Sequence, residues 1–270
     1  MNLFYHLWNR SETTEKMVLL HGMGGTGVLW RPIAASLEEK MAILAPDQRG
    51  HGRSRISSEQ PGYTPKDYAQ DVIDTLEVSG FYPTWILGHS MGVRTAVAAA
   101  HIKPSWVRGL ILVDLGFSGV AGGGLGEGLA DFLRRLPLNF SSPEEAKSFM
   151  KMHCPDPSIG QYLMAVSVRT PQGEVEFPFD HSALIQTIEA ARDFSVRPWV
   201  HELAVLNLPI LVLRGGQSLV WSFEEFAKER EEFKEESTVV FKEINQAGHG
   251  LPFEQRPLFL KTIQDFISNF

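Results

Sequence analysis

The sequence predicts an α/β fold: a mostly parallel central sheet flanked by helices on both faces, with a helical insertion between two neighbouring strands. Three observations carry that reading. Short apolar runs at 17–21, 41–47, 84–88, 109–114 and 208–213 alternate with helical patterns, and strands buried on both faces read as such continuous runs. A Gly-x-Ser-x-Gly stretch, Gly88-His89-Ser90-Met91-Gly92, joins one apolar run to an alanine-rich helix. The alternation stops after Asp114 and returns at Leu208.

Taken in order, residues 3–8 read as an edge strand, and 17–21 as a buried strand followed by a glycine-rich turn and a helix to about residue 37. The strand at 41–47 runs into a polar, glycine-broken loop, Gln48-Arg49-Gly50-His51-Gly52-Arg53-Ser54. Thr64-Pro65-Lys66-Asp67 has the form of a helix start, with Thr as N-cap, Pro at the first position and an acid in the first turn. Glycine at position 80 supplies the stop. After the strand at 109–114, residues 119–128 are crowded with glycine, as a hinge or adaptable connector would be. Ser142-Pro143-Glu144-Glu145 opens a helix as a capping box, and 180–194 reads as another helix. A second box, Ser222-Phe223-Glu224-Glu225, follows the strand at 208–213; a last strand at 238–241 and an amphipathic helix at about 256–267 close the chain. The division expected is a core of 1–116 and 199–270, with 117–198 as the insertion.

Composition narrows the partners. The chain has 270 residues, 43% of them hydrophobic, which is enough for a sizeable core. A net charge of −7 and a pI near 5.7 argue against nucleic acid and anionic membrane surfaces. Cys154 is the one cysteine, so no disulfide forms within the chain, which fits a reducing compartment. No apolar run approaches a bilayer-spanning length, and the first residues lack a basic stretch followed by a long apolar one. The expectation is a cytoplasmic protein acting on a small molecule, without nucleic acid, membrane, metal or cofactor. Its oligomeric state is not legible.

In Gly88-His89-Ser90-Met91-Gly92 a sharp strand-to-helix turn would hold Ser90 in a strained conformation with its hydroxyl lifted clear of the sheet. The helix behind it aims N–H groups and the positive end of its dipole at the same place. A helix cap is the alternative use of such a serine. A different motif competes: Gly22-x-Gly24-x-x-Gly27 follows a strand and precedes a helix, and Asp47 ends the next strand, which is dinucleotide-binding spacing. Against it, His21 stands where such a strand stays apolar, and the motif leaves Ser90 and His249 without a role. The reading that employs every piece makes the backbone N–H groups of Met23 and Met91 an oxyanion hole.

A serine hydroxyl needs a base. Of nine histidines, His249, in the loop after the final strand, is best placed; His89 reads as a packing residue, and His21 and His51 as structural groups bonding backbone carbonyls. The remaining five read as solvent-facing or capping. The acid usually follows the strand that here ends at Leu213, but Arg214-Gly215-Gly216-Gln217-Ser218 holds no carboxylate. Asp114, at the end of the strand after the Ser90 helix, is the candidate, with Glu224 or Glu225 as the alternative. Asp47 and Arg49 read as a pair bracing their loop.

His21-Gly22, Asp47-x-Arg49-Gly50-His51-Gly52-x-Ser54, the Ser90 pentapeptide and Gly248-His249 together resemble the α/β-hydrolase superfamily. The early acid resembles that of the short esterase group that includes the YbfF-like bacterial enzymes. Some haloalkane dehalogenases place their acid similarly, but their nucleophile is Asp, which Ser90 excludes. The resemblance implies a serine esterase with 117–198 as a cap over the pocket. Val93-Arg94 departs from the small residue usual after Gly92, which would narrow or charge the pocket floor. Thioesterase, acyltransferase, C–C bond hydrolase and cofactor-free haloperoxidase chemistry use the same residues, and a ligand-binding receptor would keep the pocket with little turnover. The insertion's apolar residues, among them Leu125, Leu129, Phe132, Leu133, Leu136, Leu138, Phe140, Phe149, Met150 and Met152, suit either a roof for an apolar substrate or a core of their own.

Overall fold

Successive side chains of a strand point to opposite faces, so a sheet covered on both sides needs apolar residues at every position. That is what the computed structural model contains; it describes residues 1–9, 15–55, 62–119 and 124–270, with side chains for all of these but 124–127. Its strands are β1 (Tyr5–Trp8), β2 (Glu15–Leu20), β3 (Met41–Pro46), β4 (Thr84–His89), β5 (Val107–Val113), β6 (Asn139–Phe140), β7 (Val168–Arg169), β8 (Val175–Glu176), β9 (Ile210–Gly215) and β10 (Val239–Ile244). Seven of them form one sheet in the order β1-β3-β2-β4-β5-β9-β10, parallel except for the edge strand β1. The expected architecture is therefore present, including β5 and β9 as neighbours across the insertion.

The helices are α1 (Arg31–Leu37), α2 (Pro65–Ser79), α3 (Met91–Ile102), α4 (Gly124–Arg135), α5 (Pro143–His153), α6 (Pro157–Val166), α7 (His181–Ala191), α8 (Arg197–Val205), α9 (Phe223–Glu232), α10 (Leu251–Glu254) and α11 (Arg256–Ile267). Val18, Leu20, Ile86, Leu110 and Leu112 face α2, α3 and α8, whereas Met17, Leu19, Leu87, Ile111 and Val113 face α1 and α11. Each fully buried side chain of this size contributes about 1.5–3 kcal/mol. Helix α3 lies directly on the strands, which its small residues Ala96, Ala98, Ala99 and Ala100 permit. Helix α2 starts on a reciprocal Thr64–Asp67 capping box and stops at Gly80 in the left-handed region. Among the described residues no helix is long and apolar enough to cross a membrane.

Between β5 and β9 the chain leaves the sheet. Helices α4 to α7 and the three short strands β6 to β8 pack around Phe132, Leu133, Leu136, Phe140, Met150 and Leu163. Most of the insertion's apolar residues thus form a core of their own, while Leu138 and Met152 are exposed. Leu125 falls outside the described side chains, and residues 120–123 of the glycine-crowded stretch fall outside the described residues. The two-residue strands were not foreseen; they are too short to show an alternating pattern. Ser142 caps α5 by accepting from the Glu145 N–H, but the Glu145 carboxylate bonds Ser141 instead of closing the box on Ser142.

One loop ties this segment to the sheet. The Gly52 N–H donates to Pro178 O at 2.6 Å, the Asp180 N–H donates to Gly50 O at 2.9 Å, and His51 bridges Phe179. Tyr68 and Thr187 share a hydrogen bond of 2.7 Å beside it. The expected Asp47–Arg49 pair is absent, because longer-range partners compete successfully. Arg49 makes a two-point contact with Asp71 (2.6 and 2.9 Å), and Asp47 accepts from the N–H groups of Gly27 (2.7 Å) and Arg53 (2.8 Å).

Asp71 is buried against a guanidinium that is itself mostly shielded. Removing one member of such a pair leaves an uncompensated charge, so Asp71→Ala is expected to lower the unfolding free energy by about 3 kcal/mol in urea titrations. A loss under about 1 kcal/mol, the range of surface pairs, would overturn this reading.

Candidate active site

The carboxyl ends of adjacent parallel strands, where the direction of chain crossover reverses, are the natural ligand crevice of an open α/β sheet. Here β2 and β4 are neighbours, with Leu20 opposite Gly88. Ser90 lies in the turn from β4 to α3 at φ 53°, ψ −121°, a conformation costing on the order of 1–3 kcal/mol in a non-glycine residue. The turn is tight: a Cβ on Gly88 would come 2.2 Å from Gly92 O, and one on Gly92 would come 2.6 Å from Leu20 O. The strained serine expected from the pentapeptide is present.

Three sequence-distant groups meet at this turn. His249 Nε2 lies 3.0 Å from Ser90 Oγ, and its Nδ1 lies 2.8 Å from Asp114 Oδ2. Asp114 follows β5 at φ 55° and is wholly buried. Its Oδ1 accepts from the Gly215 N–H at 2.8 Å, and its Oδ2 also accepts from the Ser218 hydroxyl at 2.5 Å. The end of β9 and the loop after it, which carry no acid, therefore supply donors to the acid of the adjacent strand. Ser218 escaped the sequence reading, and the missing carboxylate nearby was the one available hint. Glu224 and Glu225 do not bond His249; the Glu225 carboxylate completes the cap on Ser222 of α9.

His89 does more than pack. Its Nε2–H donates to the His249 carbonyl at 2.7 Å and fixes the loop that presents the imidazole. His21 donates from Nδ1 to Gly22 O and accepts at Nε2 from the Gln48 N–H. His51 donates to Arg49 O and accepts from the Gly24 N–H. These bonds hold the Gly22–Gly25 turn beside Ser90. Among the described residues, neither the Met23 nor the Met91 N–H has a protein acceptor. Gly27 and Asp47, the pieces of the dinucleotide-like spacing, bond each other inside the loop.

A cavity of about 260 Å³ opens on Ser90, Met91 and His249. Met23, Leu129, Ile159 and Ile188 give it apolar walls; Arg94, Arg197, Lys228 and Glu229 line it as well. A second cavity of about 40 Å³ meets Ser90 and His249 beside Gly22, Tyr162 and Leu163. No group of three or more His, Cys, Asp or Glu side chains suited to a metal ion occurs among the described residues.

A family profile described as "Alpha/beta hydrolase family" matches residues 17–260. A Haemophilus influenzae protein provisionally named esterase/lipase is 25% identical over 99% of this chain and 88% of its own length. Among solved structures, an E-2-(acetamidomethylene)succinate hydrolase superposes with a TM-score of 0.82 at 21% identity, covering 98% of this chain and 95% of that one. A marine microorganism esterase gives 0.79 at 21% identity, covering 98% and 99%. At such identities the solved structures speak for the fold.

The three structural histidines make stability depend on pH. Burial, the largest cause, lowers the ring pKa from 6.5 to about 4 for His21 and about 3 for His51 and His89, with repulsion from a neighbouring imidazole adding to it. The unfolded chain protonates these rings below about pH 6.5, while the folded chain resists to about pH 3–4. Stability is therefore full above pH 6.5 and falls with acid, by about 1.4 kcal/mol per pH unit for each ring. Urea unfolding between pH 6.5 and 5 should follow that slope, and His51→Gln should flatten it by about a third. An unchanged slope in the variant would refute the assignment.

Proposed function

The chain belongs to the alpha/beta hydrolase family, and from that premise we propose that it is a serine hydrolase cleaving carboxylic esters of small to medium, largely apolar substrates through an acyl-enzyme. The observation that carries this is the unbroken hydrogen-bonded row from Ser90 through His249 to Asp114. His249 Nε2 takes the Ser90 proton as Oγ attacks the ester carbonyl. The N–H groups of Met23 and Met91 stabilise the resulting oxyanion; one such donor is worth roughly 3–4 kcal/mol of barrier. The tetrahedral species collapses, and His249 passes its proton to the departing alkoxide. Water then gives a proton to His249 and attacks the acyl carbon, and Ser90 leaves with that proton restored. Asp114 keeps the imidazole proton on Nδ1 and stabilises the imidazolium.

Residues 117–198 are read as a cap on the core formed by 1–116 and 199–270, since Leu129, Ile159, Thr187 and Ile188 line the main cavity. The acid after β5 supports grouping the chain with the short YbfF-like esterases. A single cysteine goes with a cytoplasmic place of action.

Turnover of p-nitrophenyl butyrate and labelling by a fluorophosphonate probe test the reading. Ser90→Ala is expected to abolish both. Asp114→Asn should lower kcat by roughly 10³–10⁴-fold, whereas Glu224→Gln, on the exposed start of α9, should stay within about two-fold of wild type, as surface substitutions do. A crippled Glu224→Gln beside an active Asp114→Asn would reassign the acid.

A further inference from the structure

Three arginines of this chain are almost wholly buried among the described residues: Arg49, Arg94 and Arg214. A buried guanidinium is normally matched by a carboxylate, because desolvating the charge alone costs several kcal/mol. Arg49 has Asp71 at 2.6 Å and Arg214 has Glu243 at 2.6 Å. Arg94 has no carboxylate within ion-pair distance among the described residues. Its side chain makes one hydrogen bond among the described residues, from Nη2 to Ser118 O at 2.6 Å, and its buried Nε–H has no acceptor.

The position of this unmatched cation relates it to the reacting centre. Arg94 follows Ser90 by four residues on α3, about one helical turn or roughly 6 Å along the axis. It lines the same cavity as Ser90 and His249. Glu229, the buried acid nearby, is only partly engaged by others: its Oε1 accepts from the Phe117 N–H at 3.0 Å and from Arg197 at 3.1 Å, while its Oε2 has no hydrogen-bond partner among the described residues and acts on Arg94 only through space. Burial pushes the Arg94 pKa down to about 10, so the group remains charged at neutral pH. The cavity thus combines apolar walls beside the serine with three cations, Arg94, Arg197 and Lys228, against two acids, Glu225 and Glu229, and Arg94 has donors to spare. In a chain carrying a net charge of −7, that is a local reversal of sign.

We propose that Arg94 binds an ionised carboxylate of the substrate, so that the ester cleaved here carries a free carboxylate besides the bond that breaks. The inference rests on the serine-hydrolase reading and adds the substrate class. A carboxylate supplies both what the guanidinium lacks, a counter-charge at hydrogen-bond distance and an acceptor for its remaining N–H groups. The scissile carbonyl then reaches Ser90 with the apolar body of the molecule against Met23, Leu129 and Ile188.

The test compares mono-p-nitrophenyl glutarate with its neutral methyl ester, using the same leaving group and carbon chain. Wild type should favour the charged ester in kcat/KM by about 30-fold, which corresponds to about 2 kcal/mol. In Arg94→Met that ratio should fall to about one, with the loss expressed mainly in KM. Calorimetric titration of glutarate into Ser90→Ala measures the site without turnover: binding is expected there and should vanish in the Ser90→Ala/Arg94→Met double variant. A purely structural Arg94 would leave the substrate ratio unmoved. Preference of the wild type for the neutral ester, or failure of glutarate to bind Ser90→Ala, overturns the proposal even if Arg94→Met does not fold. The catalytic reading fails separately, if Ser90→Ala still hydrolyses p-nitrophenyl butyrate at the wild-type rate.

Discussion

A carboxylate without contact with water needs hydrogen-bond donors for both of its oxygens, and Asp114 is such a carboxylate. Its two oxygens accept from the Gly215 N–H, the Ser218 hydroxyl and His249. Those donors come from the end of β9, the loop after it and the loop after β10, and the acid itself from the end of β5. One carboxylate therefore fixes three strand ends relative to each other. Because β5 also neighbours β4, the same arrangement sets the distance from imidazole to the Ser90 hydroxyl. The sheet's parallel order is what makes this possible: it delivers every contributing loop to the same edge.

Close approach is the second constraint. Gly215 could not carry a side chain, because a Cβ would come 2.2 Å from Gly248 O, where the His249 loop crosses the end of β9. Glycines 88 and 92 serve the same need at the serine turn. Around them the protein uses neutral histidines as rigid connectors, each ring accepting or donating to the backbone with its tautomer fixed by its partner. His21, His51 and Gln48 hold the turn after β2, and His89 holds the carbonyl of His249. The row from Ser90 through His249 to Asp114 is thus supported by polar groups that themselves stay uncharged.

Much of this was legible because the signals are local. Thr64 with Asp67, Ser222 with Glu225 and the stop at Gly80 predict helix ends from neighbouring residues, and the structure agrees at each. The serine pentapeptide, the late histidine and Asp114 were legible as candidates for the same reason, each marking the end of an apolar run. What escaped depends on residues brought together by folding. Ser218 becomes informative only once β9 lies beside β5. Arg49 finds Asp71, 22 positions away, and leaves Asp47 to backbone donors, so nearness in sequence misled. His89 was read as packing because nothing adjacent in sequence discloses the carbonyl it meets 160 positions later.

The loop from Asp47 to Ser54 serves two neighbours. Through His51 it supports the turn that presents the Met23 N–H, and through Gly50 and Gly52 it is stitched to the backbone at 178–180. None of its residues hydrogen-bonds the serine hydroxyl, which meets His249. Even so, displacing this loop would shift the turn after β2 and the overlying wall of the cavity together, making a remote lesion register as altered fit for a molecule held between them.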